Sequence, residues 1–114
     1  MTPTDLQSIL ARDEDSQHQL KSNITNEHSL ATEMVAFANA MGGVILIGAN
    51  DDGTISGLIR SDISRLNNLV SNSASNHVRP PINPITENIQ LSEGLVMVVY
   101  IPKAFSNPTA TKTG

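Results

Sequence analysis

A chain of 114 residues, 39% hydrophobic and 16% charged, has room for one core and the balance of a globular domain, which excludes a two-domain architecture and intrinsic disorder. With no cysteine it has no disulfides, thiolate metal sites or cysteine nucleophiles. The net charge is -4 and the seven basic residues (Arg12, Lys21, Arg60, Arg65, Arg79, Lys103 and Lys112) are dispersed, so no linear Lys/Arg cluster marks a phosphate-binding tract.

Thr4 and Gln7 have capping-box spacing, and Leu6, Ile9 and Leu10 recur at helical offsets, which predicts a short helix over 4–12. RDEDSQ reads as a polar connection and QHQLKS as a short, weakly alternating strand. Leu30, Met34, Phe37 and Met41 then form one helical stripe, with Asn26 or Ser29 as N-cap and Gly42 or Gly43 taking the left-handed conformation at the end. VILIGA is a continuous aliphatic run and reads as a strand buried on both faces. NDDG supplies a tight turn, and TISGL is expected to return as the next strand. Ser61 or Asp62 can cap a third helix with Ile63, Leu66, Leu69 and Val70 on its apolar side, fading out in SNSASN. VRPPINP interrupts regular structure. ITENIQL, with Ile85, Ile89 and Leu91 on one face, pairs with the buried run LVMVVYI in a second hairpin, and a polar tail follows. The expected fold is α/β (α+β): a mixed sheet with two hairpins and about three helices, the helices covering one face.

Composition also bears on location. No apolar run reaches the roughly 20 residues of a membrane span, and MTPTDLQSIL lacks the basic start and apolar core of a signal peptide. These features point to a soluble, cytoplasmic protein with no membrane partner. Aromatic residues make up only 3% of the chain, so its core must be built from Ile, Leu, Val and Met.

The stretch FANAMGGVILIGANDDGTISGL has the glycines of a nucleotide-binding loop in the wrong order. A dinucleotide site places glycines after a strand and at a helix N-terminus, where the dipole favours phosphate. Here Gly42 and Gly43 follow a helix and precede a strand, where exposed carbonyls repel it. A Walker A loop is also absent from the sequence, so no cofactor is expected, and a cap with close packing explains the glycines.

The same stretch, preceded by EDSQHQLK and followed by a proline-rich loop and LVMVVYIPKAFSNP, resembles the Schlafen-type AlbA-like domain. That family occurs in bacterial transcriptional regulators and RecG-like helicase relatives and forms the core of vertebrate Schlafens. The resemblance spans nearly the whole chain and implies an AlbA-like Schlafen core with nucleic-acid binding, to DNA or RNA. Members usually open with a pattern like E-S-x-x-x-E-F-K, where this chain has Glu14 but Gln19 in place of the second glutamate. In the Schlafens that cut RNA, both glutamates act with an aspartate matching the NDD stretch. Glu14 and Asp51 are therefore the weak catalytic candidates, and loss of one of three carboxylates should impair a divalent-metal site. Family members also continue past Pro108 into a further strand, so residues 1–114 are expected to be a single domain at the N-terminus of a longer protein. A sheet edge left open by a missing strand could pair with another copy.

Residue by residue, Asp51 and Asp52 read first as turn formers beside Gly53. His18, His28 and His77 lack metal-ligand spacing and read as surface residues, so no metal site is expected. Asn39 near its helix end can cap carbonyls or meet a ligand. Lys21, Arg60, Arg79 and Lys103 are the candidate nucleic-acid contacts, provided that folding brings them together. The leading expectation is a noncatalytic nucleic-acid-binding, specifically DNA-binding, regulatory module of a bacterial transcriptional regulator. The alternatives are a metal-dependent Schlafen-like nuclease and an oligomerisation or sensor domain.

Overall fold

The computed structural model describes residues 1–11, 17–104 and 108–110. In chain order its elements are α1 (Pro3–Leu10), β1 (His18–Lys21), α2 (Glu27–Asn39), β2 (Gly43–Ile47), α3 (Arg60–Asn76), β3 (Val78–Arg79), β4 (Ile85–Leu91), β5 (Gly94–Ile101) and β6 (Thr109–Ala110). Four strands form a mixed sheet in the order β1-β2-β5-β4, and β3 pairs with β6 in a small second sheet. This is an α+β fold.

The capping box of α1 lies two residues before the expected Thr4–Gln7 pair. Thr2 accepts the Asp5 N–H at 3.1 Å while the Asp5 carboxylate accepts the Thr2 N–H at 3.0 Å. Pro3 occupies the first helical position, where a missing N–H costs nothing.

β1 and β2 run parallel, a pairing that requires a crossover, and α2 supplies it. Asn26 caps α2 by accepting the Ser29 N–H at 3.0 Å. Leu30, Met34 and Phe37 are buried as the stripe predicts, but Met41 is 67% exposed. The reason is that α2 ends at Asn39: Gly42 adopts φ +81 and donates its N–H to the Phe37 carbonyl at 2.8 Å. The helical phase that would align Met41 with Phe37 has stopped before reaching it.

Next, β2 meets β5 on its other edge, antiparallel. With both edges occupied, β2 has no place for TISGL, and the first expected hairpin reduces to one antiparallel bridge between Ala49 and Ile55. A second isolated bridge, Leu58 to Leu95, ties the segment to the start of β5. The second hairpin is complete, with β4 paired to β5 from Ile85–Tyr100 to Leu91–Gly94.

Helices cover both faces of the sheet, where one was expected. Alternate residues of β2 and β5 are apolar on both sides, so each face needs a cover. Ile45, Ile47, Met97 and Val99 pack with residues of α2 and α3. Leu46, Val96 and Val98 pack with Leu6 and Leu10 of α1. On β4, Ile89 and Leu91 share a face, as expected, and it is the α1 side, but Ile85 at the strand's open end is 68% exposed.

α3 differs from expectation at both ends. Its N-cap is Ile59, whose N–H donates to Asp62 at 3.0 Å, so Asp62 acts from inside the first turn. At the other end the helix continues through SNSASN to Asn76. Ser73 and Ala74 are buried there, and the Ser73 hydroxyl donates to the Glu27 carbonyl of α2 at 3.1 Å. Small residues let the two helices approach, and that packing outweighs the weak helix propensity of Ser and Asn.

Candidate nucleic-acid interface

The sheet register sorts the candidate cations by position. Lys21 ends β1 opposite Ile47, at the end where β2 finishes. Lys103 follows β5, whose Ile101 pairs with Gly43 at the start of β2, so Lys21 and Lys103 mark opposite ends of the sheet. Arg60 opens α3 and borders a hollow shared with Leu95 at the start of β5. Arg79 lies on β3 and donates to the carbonyls of Ser75 at 2.9 Å and Val78 at 3.0 Å.

Ion pairing divides them differently. Lys21 is bound to Glu33 of α2 at 2.9 Å. Arg65 is also engaged, donating to the Ile24 carbonyl and the Asn23 side chain at 2.6 Å each and to Asp62 at 3.2 Å. It holds the loop before α2 against α3. Arg60, Arg79 and Lys103 are exposed and have no carboxylate partner among the described residues.

Of the candidate catalytic carboxylates, Glu14 lies outside the described residues. Asp51 is exposed in the turn after β2, and Gln19 sits within β1 opposite Ile45. The turn itself is held by the neighbouring Asp52, whose carboxylate accepts the Thr54 hydroxyl at 2.5 Å and its N–H at 2.9 Å. The Thr54 hydroxyl, then its N–H, hold the Asp52 carboxyl below the usual range. Among the described residues, no group of three His, Cys, Asp or Glu side chains is placed to hold a metal ion.

The Asn39 amide reaches beyond its own helix, donating to the Pro108 carbonyl at 3.1 Å, and fastens the chain next to β6. The histidines are less peripheral than the sequence suggests. His28 and His77 have ring centroids 4.1 Å apart, and His77 Nε2 lies 3.0 Å from the Glu27 carboxylate. This contact joins the start of α2 to the end of α3. No spacing rule reveals it, because His28 lies in α2 and His77 is the C-cap of α3.

A family model described as Schlafen, AlbA_2 matches residues 14–114. The chain belongs to the Schlafen AlbA_2 family. Its fold is similar to the solution structure of the N-terminal domain of an ATP-dependent DNA helicase RecG-related protein from Nitrosomonas europaea. The TM-score is 0.70 at 26% identity, covering 100% of this chain and 83% of that one. A crystal structure of the DIP2311 protein from Corynebacterium diphtheriae shares the fold at TM-score 0.63 and 19% identity, with 95% of this chain covering 26% of that one. No curated protein sequence matches this chain.

In this Schlafen AlbA_2 domain the motif glycines are structural. The left-handed Gly42 ends α2 with no room for a side chain: a Cβ would meet the Ile101 carbonyl oxygen at 2.7 Å. Among the described residues, no helix is long and apolar enough to cross a membrane.

Proposed function

We propose that this domain is a noncatalytic nucleic-acid-binding module serving a transcriptional regulator. One observation carries the reading: similarity along the whole chain to the N-terminal domain of a DNA helicase RecG-related protein, within a shared Schlafen-type fold. Arg60, Arg79 and Lys103, which have no carboxylate partner among the described residues, supply phosphate contacts, and Lys21 joins them by exchanging Glu33 for phosphate. Because Gln19 stands where nucleolytic relatives are expected to carry a second glutamate, the module binds without cutting.

A salt titration of the full-length protein with labelled DNA and RNA tests this. Three to four phosphate contacts give a log-affinity against log-salt slope of roughly -2 to -4. Absence of binding to either nucleic acid at low ionic strength would reject the reading. Cleavage with magnesium or manganese that is lost in Asp51→Ala would replace it with the nuclease alternative.

A further inference from the structure

α3 and β4 enclose a trough whose chemistry differs from the rest of this acidic chain. On α3, Arg60, Ser64, Asn67, Ser71 and Ser75 follow one another at offsets of four, three, four and four, and so share a face. Across from them, Thr86 and Gln90 of β4 are opposite Val99 and Leu95 of β5, on the face of the sheet that α2 and α3 cover. Two hollows lie in line between these elements. One, of about 300 Å³, is bordered by Asn67, Ser71, Ser75 and Thr86. The other, of about 560 Å³, is bordered by Arg60, Ser64 and Gln90. Across the first hollow the Thr86 hydroxyl reaches Asn67 at 3.5 Å, at the outer limit of a hydrogen bond.

Among the described residues no Asp or Glu borders either hollow, although the chain carries 11 acidic residues. Arg60 stands at one end, and Arg79, bonded to Ser75, at the other. Both are free of carboxylates among the described residues. The polar positions between them are hydroxyls and amides, the neutral groups that hydrogen-bond sugar and phosphate. Among the described residues no aromatic side chain borders either hollow, so none of them offers a base a stacking surface there.

We propose that this trough seats the sugar-phosphate backbone of a single nucleic-acid strand, with Arg60 and Arg79 anchoring phosphates at its ends. The assignment rests on the nucleic-acid-binding reading above and locates its contact surface. A 17-residue helix is about 25 Å long, enough for roughly four nucleotides, the low end of single-strand site sizes. A recess between a helix and a strand admits one strand more readily than the body of a duplex. Neutral hydroxyl and amide contacts hold the strand without discriminating among bases.

Fluorescence anisotropy of the full chain with a labelled oligothymidylate, and with a duplex of the same length, tests the proposal across a salt series. The single strand is expected to bind more tightly. Arg60→Gln and Arg79→Gln should each reduce the steepness of its salt slope by about 0.7. Ser71→Leu, at an exposed position, blocks the trough and should weaken binding about tenfold, as for a lost charge-assisted hydrogen bond. Denaturant unfolding of each variant confirms that the fold is intact. Single-strand binding unchanged in all three variants would overturn the trough while leaving the nucleic-acid reading in place, as would equal or tighter binding of the duplex. Binding of neither probe would overturn both.

Discussion

Individual glycines and carboxylates act in this domain through their backbone surroundings. Gly43 opens β2 directly against the Phe37 ring, and a Cβ there would collide with the ring carbons. Gly43→Ala should therefore destabilise the fold by about 1–3 kcal/mol, the usual cost of overpacking. Urea unfolding would show this as a lower midpoint with an unchanged m-value. Local roles of this kind were legible from sequence: the glycine pair ends a helix, and Asp52 shapes a turn. The contact of Glu27, His28 and His77 was not, because it exists only where two helices meet.

At the scale of elements, α3 shows where local preference gives way. The SNSASN run has weak helix propensity, yet it stays helical because Ser73 and Ala74 are buried where α3 meets α2. Leu66 is fully buried beneath the same helix, so Leu66→Ala should cost about 2–5 kcal/mol. Arg65 fixes the helix to the loop before α2 through three partners. Its exposure limits each contact, and Arg65→Ala is expected to cost about 1–2 kcal/mol. If denaturation shows Arg65→Ala to be more costly than Leu66→Ala, the helix is held by its polar strut more than by its core. The absent TISGL strand has the same type of cause, since β1 and β5 already occupy both edges of β2.

The whole molecule responds to pH through carboxylates that are engaged only after folding. Asp62 is held below its ordinary value by the Ile59 N–H and then Arg65. Glu87 is held down by the N-terminal ammonium, which it meets at 3.0 Å, and by the Tyr100 hydroxyl. Folding lowers both, so their stabilising contribution is complete above the unfolded values and is lost as pH falls through the folded ones. Thermal midpoints should stay level near neutrality and decline below about pH 4, and Asp62→Asn should make that decline shallower. Tyr100 shifts upward, first through burial and then through Glu87. Its unfolded form ionises first, so stability should also decrease as pH rises past about 10. Thermal melts across both ranges check the two signs.

Sequence alone determined the family, the three helices, the two central strands and the β4–β5 hairpin, because helical and strand periodicity, capping residues and glycine-marked ends are local properties of the chain. It also placed the glycines in an order that repels phosphate. Tertiary structure decided strand order, the covering of both sheet faces, the exposure of Met41 and Ile85, and which of the described cations meet a carboxylate. Those outcomes depend on which distant residues meet: Glu33 engages Lys21 and the Ile24 carbonyl engages Arg65, while Arg60 and Arg79 have no carboxylate partner among the described residues. One-dimensional spacing does not encode such meetings, since they follow from how two elements pack around a shared core.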